Sequence, residues 1–280
     1  MNRLSPEKRT RVLAALVEGN SIRATCRMTG VAKNTVVKLL VDVGALCQRY
    51  HGEHVRGLKP AKVQCDEIWA FCHAKEKNVP TELRGQYGHG DVWTWVALDS
   101  DTKLVISWYI GQRRAVDARE FMLDLAGRIT NITQLTTDGF MAYPDAVYEA
   151  FGTDVDYGML VKSYSAERAD EARYSPPKCT GAKKRHVIGC SEPVDISTSH
   201  VERQNLTMRM SMRRFTRLTN AFSKKVENLE HAVTLHFMHY NWCRKHQTLG
   251  MTPAQAAGLA DHAWTLDELV GLLSETEKPN

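Results

Sequence analysis

Three acids stand where phosphodiester chemistry would use them: Asp66, Asp138 and Glu202. Asp66 lies inside the apolar run Val63-Gln64-Cys65-Asp66-Glu67-Ile68-Trp69. A carboxylate in such a run is costly unless it is paired or holds a metal. Asp138 closes the run Gln134-Leu135-Thr136-Thr137 and precedes Gly139. Glu202 heads a segment, Arg203 to Lys225, with seven Lys/Arg and no acid. Mg²⁺ prefers oxygen ligands, usually one or two carboxylates with water and substrate phosphate. Two such ions about 3.5–4 Å apart can activate an attacking oxygen and stabilise a leaving one. The expected catalytic and metal-binding residues are therefore Asp66, Asp138 and Glu202, holding two Mg²⁺ or Mn²⁺ ions. Glu67 is the weaker candidate, because successive strand side chains point to opposite faces. Asp99, Asp101 and Asp145 read better as turn or cap residues. Cys179, His186 and Cys190 offer zinc-type ligands without an evident fourth.

The spacing of apolar residues predicts the elements that would position these acids. Strands are expected at Lys62–Ala70, Asp91–Asp99 and Leu104–Ile110, making an antiparallel meander. A helix over Val116–Ile129, a strand ending at Asp138, a helix over Tyr143–Phe151 and a strand over Val155–Tyr164 follow. That order is the order of an α/β ribonuclease H-like fold, a mixed sheet flanked by helices. It brings the first strand, the end of the fourth strand and the helix after the fifth to one sheet edge. The polar stretch Ser165–Asp195 reads as an insertion or mobile loop. Helices are expected from Thr198 and over Glu227–Tyr240. On the first of these, Glu202, Asn205, Arg209 and Arg213 share a broad face that could follow a phosphate backbone.

The N-terminal stretch has another pattern. Ser5-Pro6 and Ser21 are helix-start signals, and Gly19 and Gly30 are stops. Two short helices and a third beginning near Ala32 form a helix-turn-helix pattern. Its recognition residues would be Lys33, Asn34, Thr35 and Lys38, since Asn can pair with adenine and Lys can reach guanine or phosphate. An ordinary three-helix bundle is the competing reading. Charge favours DNA. The chain has 37 Lys+Arg and 32 Asp+Glu, a net charge of +5. Residues 1–62 hold twelve Lys/Arg and four acids, so they carry +8 and the remainder −3.

The 280 residues are 43% hydrophobic, which excludes a wholly disordered chain. The expected division is an all-α helix-turn-helix domain over 1–50, a linker over 51–61 and the catalytic domain over 62–257. A helical tail follows over 258–280. The linker expectation rests on Gly52, Gly57 and Pro60. Seven scattered cysteines, no apolar leader and no long apolar run predict a reduced cytosolic protein without a membrane span.

These residues resemble the DDE transposases of bacterial insertion sequences, most closely the insertion-sequence-one type. The matching pieces are Asp66-Glu67-Ile68-Trp69 and Thr136-Thr137-Asp138-Gly139-Phe140 with Tyr143. The third and most specific is His200-Val201-Glu202-Arg203-Gln204-Asn205-Leu206 with Arg209, Arg213, Arg214, Arg217, Thr219, Phe222 and Ser223. The tail from Tyr240 to Pro253 resembles the end of related integrase cores. The resemblance implies that water cuts the element end and leaves a 3′-hydroxyl, which then attacks target DNA in line. It implies that Asn205 and Arg209 position DNA, and the acid-free basic stretch adds Arg203, Arg213 and Arg214 as expected DNA contacts. It also implies double-stranded terminal inverted repeats and target DNA as partners, a homo-oligomer on two DNA ends and a place at the bacterial nucleoid. The chain lacks the N-terminal cysteine cluster that some members carry. A nuclease or resolvase on the same acids, and a non-catalytic DNA-binding regulator, are the rival readings.

Overall fold

In the computed structural model, the described residues are 4–165, 179–216 and 220–276. Ser5 accepts a hydrogen bond from the Lys8 N–H and opens α1 (Pro6–Val17), with Pro6 in the first turn. Ser21 caps α2 (Ile22–Thr29) by accepting from the Ala24 N–H, and Gly30 closes it at φ 68°. Both helix starts follow the side-chain capping expected of serine. α3 runs from Lys33 to His54 and so continues into the stretch expected to be linker. Burial explains the extension. Leu46, Cys47 and His51 are buried, and His51 Nε2 donates to the Ile106 carbonyl at 2.8 Å.

β1 (Lys62–Cys72), β2 (Gly90–Asp99) and β3 (Val105–Gly111) form the expected antiparallel meander. α4 (Ala115–Ala126), β4 (Gln134–Asp138), α5 (Tyr143–Phe151) and β5 (Asp156–Tyr164) follow in the expected order. β4 lies parallel to β1 and to β5. β1 pairs with β4 only from Lys62 to Gln64, so the two strands part just before Asp66. The stretch expected to be a loop after Ser165 contains β6 (Cys179–Ile188), antiparallel to β5. Its residues are almost all exposed, so no apolar alternation marks it. A charged edge strand of this kind resists pairing with other chains. Pro176 and Pro177 of the same stretch lie outside the described residues. The sheet order is β3-β2-β1-β4-β5-β6, a mixed six-stranded sheet compatible with a ribonuclease H-like fold.

The remaining helices are α6 (Ser199–Ser211), α7 (Val226–Met238), α8 (Pro253–Ala256) and α9 (Leu266–Thr276). Thr252 and Gln255 form a reciprocal capping box at α8. Side chains pack on both sheet faces. Trp95, Phe121 and Tyr143 join Val12, Leu13 and Leu40 in one buried cluster. Ile68, Val96, Val201, Met208 and Phe237 belong to a second. The first cluster therefore runs without a break from the N-terminal helices to the sheet. Gly44 lets α3 approach α7 closely: a Cβ there would lie 2.6 Å from His231 Cβ. Gly19, at φ +77°, brings the α1–α2 turn against α6, with the added Cβ 2.5 Å from the Ser211 carbonyl oxygen. Among the described residues, no helix is long and apolar enough to cross a membrane.

Candidate metal centre

Strand alternation puts Gln64 and Asp66 on one face of β1. Gln64 Oε1 accepts from the His200 N–H at 2.8 Å and from the Val201 N–H at 3.2 Å. It thereby satisfies donors at the start of α6 that have no partner within the helix. Further along α6, the Asn205 side-chain amide donates to Asp66 Oδ2 at 2.8 Å. Two residues of β1 therefore fix α6 across the strand, and α6 in turn orients Asp66. Asn205 is 3% exposed, so it is turned to this carboxylate rather than to a solvent-facing stripe.

One oxygen each from Asp66, Glu67 and Asp138 lies within 4.8 Å of the others. Asp66 and Asp138 thus meet as expected, and Glu67 joins them. Alternation still holds: Asp66 is paired across the sheet with Val96 and Glu67 with Trp95. Asp138 sits at the end of β4 beyond the β1–β4 pairing, and carboxylates from both faces of β1 reach it there. Glu202 is not part of this close group. Its carboxylate pairs with Lys162 of β5 and accepts from the Thr198 hydroxyl. Its charge nevertheless reaches Asp66.

Burial and neighbouring acids set the protonation of the cluster. Burial, then the Asp138 and Glu202 charges, push Asp66 up to about 7, against the bond from Asn205. Burial and Asp138 push Glu67 up to about 8, with Arg113 opposing. Glu67 is 8% exposed, and the Tyr143 hydroxyl is the hydrogen-bonding group beside its carboxylate. Like charges gathered in a poorly solvated site disfavour ionisation. A divalent cation reverses that preference, and three carboxylates offer the hard oxygen donors it takes. The donor set of three clustered carboxylates therefore fits such an ion.

Two cations beside the acids have no periodic signal in the sequence. Arg113, in the turn before α4, lies 3.2 Å from Asp138 Oδ2 and 3.6 Å from Glu67 Oε2. Its guanidinium stands 4.2 Å from the Phe140 ring centroid and 5.2 Å from that of Trp93. Those faces hold a planar cation well. Burial works against the Lys162 charge, but its bond and ion pair with Glu202 outweigh burial and hold it above the usual lysine value. Cys179 and Cys190 are exposed, and His186 bonds Ser191 Oγ at 2.8 Å. Those three do not gather as a metal-ligand group.

The other expected contact residues fall elsewhere. Lys33, Asn34, Thr35 and Lys38 are exposed at the start of α3, and Lys38 pairs with Asp42 at 2.6 Å. Arg203 is exposed on α6, and Arg209 is half-buried. Lys33 and Asn34 share a cavity of about 650 Å³ with Arg213 and Arg214. Arg217 and Thr219 lie outside the described residues.

No protein-family model matches the chain, and no curated protein matches it by sequence. Among solved structures, the chain is similar to one described as a cryo-EM structure of piggyBac transposase synaptic complex with hairpin DNA. The identity is 10% and the TM-score 0.44, over 99% of this chain and 74% of that one.

Proposed function

We propose that the protein is a metal-dependent DNA transposase of the insertion-sequence type. The observation that carries this reading is the convergence of Asp66, Glu67 and Asp138 where the two central strands of a mixed sheet, β1 and β4, part. Asp66 and Asp138, joined by Glu67, would hold the divalent ions, with Glu202 as the acid next to them. An ion bound there supplies a Lewis acid at a phosphate oxygen and lowers the cost of the attacking oxygen's charge. Asn205 keeps the Asp66 carboxylate oriented. Arg113 neutralises Glu67 and Asp138 and is placed to meet a phosphate once those acids turn to a metal. Lys162 and Glu202 form a second paired charge beside Asp66.

In the first reaction, water oxygen bonds to phosphorus and the P–O3′ bond breaks, leaving a 3′-hydroxyl on the element end. In the second, that hydroxyl bonds to a target phosphorus and displaces the target's own 3′-oxygen. Lys33, Asn34, Thr35 and Lys38 would contact the terminal repeat, and Arg203, Arg209, Arg213 and Arg214 the backbone. Residues 1–50 would act as the helix-turn-helix unit and the protein as a homo-oligomer on paired ends.

A strand-transfer assay with labelled linear ends and Mg²⁺, with the products mapped, tests the reading. Wild type should yield joined products, and Asp66→Asn should lose at least about 100-fold in rate. Cleavage without joining would assign a nuclease instead. Full strand transfer by Asp66→Asn would exclude the assigned acids.

A further inference from the structure

The cavity shared by α3 and the segment after α6 is separate from the acid cluster, since none of Asp66, Glu67, Asp138 or Glu202 lines it. Its lining carries six cationic side chains (Arg23, Lys33, Arg213, Arg214, Lys224 and Lys225) and no carboxylate. Arg214 is half-buried and donates to Ser223 Oγ. Among the described residues no carboxylate is within ion-pair distance of it. A half-buried guanidinium without a counter-anion is costly, and an anionic ligand would relieve it. The same cavity contains an aromatic ring. Phe222 is half-exposed and packs at 4.8 Å against Phe71, so its ring is backed on one side. At about 650 Å³ the cavity has the size of a small-ligand pocket.

Cations that follow a backbone, combined with an aromatic ring, characterise binding of unpaired nucleic-acid strands. Asn34 adds an amide that can bond a base edge. We propose that this cavity binds an unpaired nucleotide of a DNA strand, with its base on Phe222 and its phosphates on Arg213 and Arg214. The proposal rests on the DNA reading above and deepens it. The start of α3 would serve a frayed or single-stranded end held against the body, not only a duplex groove.

The test is fluorescence anisotropy of the full chain with a labelled single strand of roughly 20 nucleotides, in EDTA so that no cleavage occurs. A blunt duplex of the same sequence and a free nucleoside monophosphate are run beside it. Phe222→Ala should weaken single-strand binding about tenfold and duplex binding less than about twofold, and Phe222→Trp should retain both. The exposed Arg213→Gln guards against a folding defect in the first variant. It should lower the slope of log affinity against log salt by about 0.7 on the single strand. Unchanged single-strand affinity in Phe222→Ala, or an unchanged slope in Arg213→Gln, overturns the proposal. An equal loss on the duplex overturns it too. A free nucleotide that competes as tightly as the strand, with the same dependence on Phe222, also overturns it. Asp66→Asn should leave this binding unchanged. Failure here therefore leaves the metal chemistry standing, and inert acids leave this cavity standing.

Discussion

The Asp66 carboxylate touches the Asn205 amide on one side and shares space with Glu67 and Asp138 on the other. Both Asp66 and Glu67 are held above the ordinary carboxylate range by burial and then by the Asp138 charge. The folded protein therefore binds more protons than the unfolded chain between the ordinary value near 4 and the raised values. Stability from these groups is fully present below about pH 4 and falls as the pH rises towards about 8. The metal-free protein should accordingly melt lower at about pH 8 than at about pH 6, and Mg²⁺ should restore most of the loss at the higher pH. Asp66→Asn should flatten that dependence. Melting curves in EDTA and in Mg²⁺ decide the matter, and a pH dependence identical in the variant would contradict it. Arg113→Gln should lower the metal-free melting temperature and tighten Mg²⁺ binding severalfold, because no cation must then leave Glu67 and Asp138. A Mg²⁺ titration by thermal shift that shows weaker binding would refute that role. Asp66 and Asp138 were legible as acids within and at the end of apolar runs. Glu67 was not, because alternation says which face a side chain leaves from and not where a parting strand lets two faces meet. Arg113 and Lys162 were not legible either, since partner choice across elements leaves no mark on local spacing.

Among the elements, β1 to β5 were readable as short apolar runs, buried on both faces in β1, β2 and β4. α4 and α5 were readable because each buries one face and so repeats its apolar residues at helical spacing. β6 buries almost nothing and offered no such signal. α3 runs into the expected linker because burial of Cys47 and His51 carries the helix past Gly52, a residue that usually marks a break. Gly44 likewise looks like a helix weakness and is a contact: its missing Cβ is what admits His231. Gly44→Ala should therefore destabilise the protein by about 1–3 kcal/mol through overpacking, although alanine is the better helix former by about 1 kcal/mol. Urea unfolding measures this, and a more stable variant would show that α3 and α7 do not pack as described.

Across the whole molecule, the +5 charge resolves into a basic N-terminal stretch and a body whose acids include the candidate metal ligands. The topology was legible from element order, because few connections satisfy the handedness and layering of a mixed sheet. The continuity of the core was not. Charge and glycines set residues 1–50 apart, whereas Leu13 and Leu40 pack in the same cluster as Trp95 and Phe121. All six tryptophans lie in the body, from Trp69 to Trp264, and Trp108, Trp242 and Trp264 pack against Tyr50 or His51 of α3. Leu13→Ala, at a fully buried site in α1, should cost about 2–5 kcal/mol. Tryptophan fluorescence and far-ultraviolet circular dichroism should shift together. A fluorescence midpoint that stays in place would instead show a head that unfolds alone.

All of these expectations depend on whether Asp66, Glu67 and Asp138 hold a divalent ion. Titration of the full chain with Mn²⁺ at about pH 8, with free Mn²⁺ followed by electron paramagnetic resonance, measures this directly. Wild type should take up the ion, and Asp138→Asn should bind it at least about tenfold more weakly. Equal uptake by the two proteins would contradict the metal centre and the chemistry built on it.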